Sequence, residues 1–162
     1  MGVPRCAPIL DLLPRLVRAF AGGAFDSGTA HSVEAFSGVA LWLPPGVKSD
    51  EEAMGTLMEE AILASEQEEI FGFLDLMDEY HPTAQHWYLP LIGVDPVRQG
   101  RGYGSALLRH GFQMCDMQAV PAYLESTSER NKRLYERHGF EAIGVIQSGS
   151  SPPMWPMLRK PR

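Results

Sequence analysis

The chain has 162 residues, 44% of them hydrophobic and 21% charged, with a net charge of -6. That suits one domain spanning 1–162 with a real core, and the acidic balance excludes broad nucleic-acid or anionic-membrane binding, which needs a surplus of Lys and Arg. There is no apolar run of about 18 residues, no basic leader before an apolar core, and no C-x-x-C pair between Cys6 and Cys115, so a transmembrane helix, a signal peptide and a disulfide scaffold are all unexpected and a cytoplasmic location is the simple reading.

Residues 1–35 are poorly defined by pattern. The run "ILDLLPRLVRAF" has helical spacing, with Leu12, Leu16, Val17 and Phe20 on one side and Pro14 near the first turn. "AGGAFDSGTA" reads as a turn-rich connection. "AHSVEAFSGVALWLPPG" offers two short strands around Phe36, Ser37 and Gly38, the second stopped by Pro44 and Pro45. From Ser49 the period becomes helical, with Met54, Leu57, Met58, Ala61 and Ile62 on one face and Asp50, Glu51 and Glu52 in the first turn. A second helix is expected over 66–79, with Ile70, Phe73, Leu74 and Met77 inward. "QHWYLPLIGV" reads as a buried strand, and Pro90 within it predicts a bulge, because proline has no N–H for the ladder. Leu107, Leu108, Gly111, Phe112 and Cys115 mark a helix face. "PAYLEST" is a further strand, and "SERNKRLYERHGF" a short helix stopped at Gly139. Residues 140–146 and 154–158 complete the pattern as two strands. The order is that of a mixed α/β domain.

The stretch "VDPVRQGRGYGSALL" carries the chemistry. Gly100, Gly102 and Gly104 alternate before a helical pattern, with Arg98, Gln99 and Arg101 among them. Glycine-rich turns at a helix start bare N–H groups at the positive end of the helix dipole, a combination that binds phosphate. A phosphate or diphosphate cradle over 99–105 follows. The spacing is G-x-G-x-G, which is not the dinucleotide fingerprint G-x-G-x-x-G, and no lysine follows as in the ATP-binding loop.

This stretch resembles the acetyl-coenzyme A signature Q-x-x-G-x-G/A of the GNAT N-acetyltransferases, through Gln99, Gly102 and Gly104. "LIGVDP" before it and "ERNKRLYERHGF" after it are similar in order and spacing, and residues 86–160, the expected cofactor-binding core, are most like the puromycin N-acetyltransferase-like bacterial group. The resemblance implies a mixed, mostly antiparallel central sheet, splayed between its fourth and fifth strands, with helices on both faces. Such a domain opens with a strand that is not seen before "ILDLLPRLVRAF", so the chain is expected to be shortened at its front and to lack that first strand.

The resemblance further implies acetyl-CoA as co-substrate and no metal. The backbone of Ile92, Gly93 and Val94 would hold the pantetheine arm, and an N–H near Val94 would polarise the acetyl carbonyl. The cradle of Gln99, Gly100, Arg101, Gly102, Tyr103, Gly104 and Ser105 would hold the diphosphate, with Asn131 near the thiol end. Tyr135 would protonate the departing thiolate, and Glu125 would act as base on the amine, with Glu34, Glu79, His81 and His86 as rivals. The expected activity is N-acetyl transfer to a primary amine of a small molecule. The alternative is a CoA-binding regulatory or interaction module with little turnover. Exposed edge strands make a homodimer the expected assembly.

Overall fold

The computed structural model describes residues 9–162; Cys6 lies outside them. The elements run α1 (Ile9–Ala21), α2 (Gly23–Asp26), β1 (Ala30–Val33), β2 (Gly38–Leu43), α3 (Glu51–Ala61), α4 (Gln67–Tyr80), β3 (Trp87–Val94), α5 (Tyr103–Gln118), β4 (Ala122–Ser126), α6 (Glu129–Arg137), β5 (Glu141–Ala142) and β6 (Trp155–Arg159), with a 3-10 turn at Pro96–Arg98. One six-stranded sheet has the order β1-β2-β3-β4-β6-β5. Every pairing is antiparallel except β3 with β4.

Side chains alternate along each strand, so the sheet has two buried faces. Trp87, Leu89, Ala122, Leu124 and Met157 join Leu107, Leu108, Phe112 and Cys115 of α5 in the larger core. Gly111 lets α5 come down on the sheet: a Cβ there would collide with the indole of Trp42. On the other face Leu41, Leu43, Tyr88 and Tyr123 pack with Ala21, Ala24, Val17 and Phe20 of the N-terminal helices.

Local signals explain most boundaries. Asp50 caps α3 by accepting from the Ala53 amide at 3.0 Å, and Ser128 caps α6 by accepting from the Asn131 amide at 3.1 Å. Gly139 ends α6 at φ +88°. Where Leu41 faces Leu91 and Leu43 faces Tyr88, two steps on β2 oppose three on β3. The bulge expected at Pro90 is this extra residue.

Four details depart from the sequence reading. Pro14 lies inside α1, because helix already runs from Ile9. A short helix, α2, occupies part of the expected turn. No residue of α4 is fully buried, since this helix covers the 143–151 loop rather than the sheet: Gly144 packs against Tyr80, and Ser150 bonds Glu69. The strand expected over 140–146 shrinks to Glu141–Ala142 plus a bridge from Ile146 to Met154. Counted along the described strands, the splay falls between the third and the fourth, β3 and β4.

Candidate active site

The fork in the sheet organises the site. Only Trp87 and Tyr88 of β3 pair with β4, through Ala122 and Tyr123. Beyond them the strands part, and β3 runs on to Val94 paired with β2 alone. The Asp95 amide donates to Ser37 O at 2.8 Å. Antiparallel ladders alternate, so Gly93 and Leu91 turn their backbone groups toward β2, while Ile92 and Val94 turn theirs to the open side. From that side Gln99 Nε2 donates to Val94 O at 3.2 Å. The amides of Ile92 and Val94 thus line a cleft with no strand opposite.

At the end of this edge the chain turns into α5. Asp95 accepts from the Val97 amide at 3.1 Å and holds the turn. Gly100 and Gly102 sit at φ +77° and +84°, angles that L side chains adopt only at a cost. The first intrahelical bond is Ala106 N–H to Gly102 O, at 2.9 Å. Among the described residues no protein acceptor meets the backbone N–H groups of Gln99, Gly100, Arg101, Gly102, Tyr103, Gly104 or Ser105. Residues 99–102 are exposed, and a Cβ on Gly100 or Gly102 would meet no protein atom. These amides stand free at a helix N-terminus beside the fork, as an anion site requires. The Ser105 hydroxyl is engaged 2.9 Å from His138 Nε2. Burial, followed by the charge of Arg109, lowers the basicity of His138.

Tyr135 lies on the inner side of α6, 5% exposed, in the larger core beside Phe140. Burial pushes its phenol up to about 12, so it stays protonated at neutral pH. Asn131 is exposed in the first turn of α6. Cys115 is buried and unpaired, its thiol pushed up to about 12 by burial.

Glu125 occupies the opposite face of the sheet, two residues beyond the last β3–β4 pair. Its side chain is 6% exposed. The Tyr88 hydroxyl donates to Oε2 at 2.8 Å, while Oε1 and the Tyr123 hydroxyl are buried without partners. Burial first, then the Glu125 charge, raises both phenols above their ordinary value. His81 Nδ1 lies 3.9 Å from Glu125 Oε1, and His81 Nε2 lies 2.9 Å from His86 Nε2. The sequence reading set His81 and His86 against Glu125 as rivals; the fold assembles all three. Glu34 and Glu79 are exposed, and their carboxylates pair with no described group. Tyr88 and Tyr123 were missed as site residues. Each is an aromatic in an apolar strand, and only their pairing across the fork brings both to Glu125. Among the described residues, no group of three or more His, Cys, Asp and Glu side chains is arranged to hold a metal ion.

Residues 58–142, more than half of the chain, match the family described as acetyltransferase (GNAT) domain. An uncharacterized N-acetyltransferase of Schizosaccharomyces pombe is 29% identical in an alignment of 149 residues that covers 83% of this chain and 60% of that protein. The chain therefore spans less than two thirds of that relative. A mycothiol acetyltransferase of Acidimicrobium ferrooxidans is 43% identical over 53 residues, 31% of this chain and 17% of that protein. A Corynebacterium glutamicum crystal structure, described as histone acetyltransferase HPA2 and related acetyltransferase, matches with a TM-score of 0.61 at 27% identity, over 94% of this chain and 74% of that one. The polyamine N-acetyltransferase of Drosophila melanogaster shares the fold at 14% identity, with a TM-score of 0.58 over 79% of this chain and 72% of that one.

Proposed function

The chain belongs to the GNAT acetyltransferase family, and from that premise we propose that it transfers the acetyl group of acetyl-CoA to a primary amine of a small molecule, by direct attack in a ternary complex. The observation that carries the reading is the row of unbonded amides over 99–105, opening beside the free edge of β3. Those amides hold the diphosphate, with Arg101 adding positive charge in an acidic protein. The outward backbone groups of Ile92 and Val94 hold the pantetheine arm, and the Val94 amide stabilises the charge that develops on the acetyl oxygen. Asn131 lies toward the thiol end.

Acetyl-CoA brings the thioester; this chain supplies position and protons. Glu125 takes the proton that frees the amine lone pair. A nitrogen–carbon bond forms, the carbon–sulfur bond breaks, and Tyr135, held protonated at neutral pH by burial that raises its phenol to about 12, gives its proton to the thiolate.

The burial of Glu125 Oε1 favours one second reading, a CoA-binding module with little turnover, because an acceptor does not reach that oxygen without movement of its surroundings. Titration calorimetry with acetyl-CoA, followed by thiol release over a panel of primary amines, tests both. The transferase reading expects binding and turnover, and the second reading expects binding alone. Absence of acetyl-CoA binding removes both.

A further inference from the structure

The proton taken from an acceptor amine has to leave a buried carboxylate. Glu125 is the one acidic residue on β3 or β4. Its Oε2 is occupied by the Tyr88 hydroxyl, and its Oε1 has neither a partner nor contact with solvent. The neighbouring phenols of Tyr88 and Tyr123 hold their protons firmly, because burial and the carboxylate charge both oppose ionisation. Asp78 of α4, whose charge also bears on Tyr88, is exposed. The remaining titratable group facing Oε1 is the His81 imidazole, whose side chain is 32% exposed.

Hydrogen-bond chemistry fixes the order of protons along the histidines. His86 Nδ1 lies 2.7 Å from the Ala84 carbonyl, and a carbonyl only accepts, so Nδ1 carries the hydrogen. Burial favours the neutral His86 ring, whose Nε2 is then a lone pair. His81 Nε2, 2.9 Å away, must donate to it. A neutral His81 therefore turns its Nδ1 lone pair toward Glu125 Oε1. The 3.9 Å between them closes to a hydrogen bond with about 1 Å of ring movement. Every donor in the line points outward from the carboxylate toward the 81–86 turn.

We propose that His81 and His86 form the proton exit of the transfer, carrying the amine's proton from Glu125 to water. The inference rests on the transferase reading above. The acceptor ammonium loses a proton to Glu125, which becomes a neutral carboxyl. Oε1 passes that proton to His81 Nδ1, restoring the carboxylate. The resulting imidazolium donates its Nε2 proton to His86 Nε2, and His86 releases its Nδ1 proton to solvent as the bond to the Ala84 carbonyl opens; proton exchange with water then restores Nδ1–H on His86 and Nε2–H on His81 before the next turnover. One proton enters and one leaves, with no net change in the three residues' charge.

The test uses the full chain with acetyl-CoA and three probe amines, spermidine, tyramine and ethanolamine, read by thiol release. His81→Ala is expected to lower kcat by roughly 100-fold, the lower end of what a proton-transfer group contributes, with KM for acetyl-CoA unchanged. Added imidazole is expected to restore much of that rate, and His86→Gln to show a smaller loss. A His81→Ala enzyme as fast as wild type overturns the relay, as does a loss that imidazole leaves untouched while circular dichroism shows an intact fold. A wild-type chain that releases no thiol with any of the three amines tells against the transferase reading instead. Imidazole nitrogen shifts in protein labelled at histidine need no acceptor and then decide the order of protons. His86 carrying its hydrogen on Nδ1, with the His81 tautomer changing in His86→Gln, supports the relay. His86 carrying it on Nε2 overturns the relay.

Discussion

On the α5 face of the sheet the site is made of backbone, and on the opposite face it is made of side chains. The cradle consists of amides from one continuous segment, set by two glycines at positive φ and by the start of one helix. The cluster around Glu125 draws Tyr88 from β3, Tyr123 from β4 and two histidines from the turn before β3. Under the proposed function the backbone cradle would recognise a diphosphate, and it needs no particular side chain beyond glycine. A pocket of side chains can change its chemistry by single substitutions while the sheet stays as it is.

If the two faces are functionally separate, variants should divide cleanly between them. The largest effect is expected for Glu125→Gln: a loss of about 10²- to 10⁴-fold in kcat, with acetyl-CoA affinity by calorimetry unchanged. Weakened cofactor binding in that variant would break the division. Tyr135→Phe is expected to cost about 100-fold in kcat with little change in acetyl-CoA affinity. A general acid works only while protonated, and this phenol is raised to about 12. Tyr135 therefore causes no fall in the wild-type rate between neutral pH and pH 10, and a fall there that vanishes in Tyr135→Phe would reassign it.

Effects on stability should fall on the shared core. Arg159 is 4% exposed, stacks over Phe112 at 4.1 Å, and donates to both oxygens of Asp116 at 2.8 and 3.0 Å. Removing the carboxylate strands that charge, so Asp116→Ala should cost about 3 kcal/mol in denaturant unfolding. Hydrogen bonding from Arg159 holds the Asp116 carboxyl below the usual range. Its stabilisation is thus fully present above about pH 4 and is lost as pH falls through the folded-state value. Asp116→Asn should lose less stability than wild type over that interval. The smallest effect on the fold is expected for Gly102→Ala, about 1 kcal/mol from its left-handed backbone, accompanied by weaker acetyl-CoA binding. Unchanged binding would count against the cradle.

How far each face could be read beforehand follows from how local its causes are. The cradle was legible because "RQGRGYGSALL" contains its own turn, its own bare amides and its own helix. Pro90 announced the bulge because its missing N–H is a property of one residue. The weak strand at 140–146 was misjudged because alternation in a short apolar run does not say whether a partner lies alongside; Ile143 bonds only Pro156 O, at 2.9 Å, and Gly144 is taken up by Tyr80. The helix 66–79 was read with a proper inward stripe, yet it covers a loop, which periodicity alone does not distinguish from a sheet.

By itself the sequence determined the elements whose geometry is settled within a few residues: capped helices, the glycine turn, the proline bulge, and with them the row of free amides over 99–105. Only the tertiary structure decided that β3 and β4 pair for two residues and then part, and that Glu125, His81 and His86, separated by up to 44 positions, meet in one cluster. The first kind of feature comes from steric and hydrogen-bonding limits along the chain. The second comes from strand register, which is set by burying both faces of the sheet at once and has no local signature.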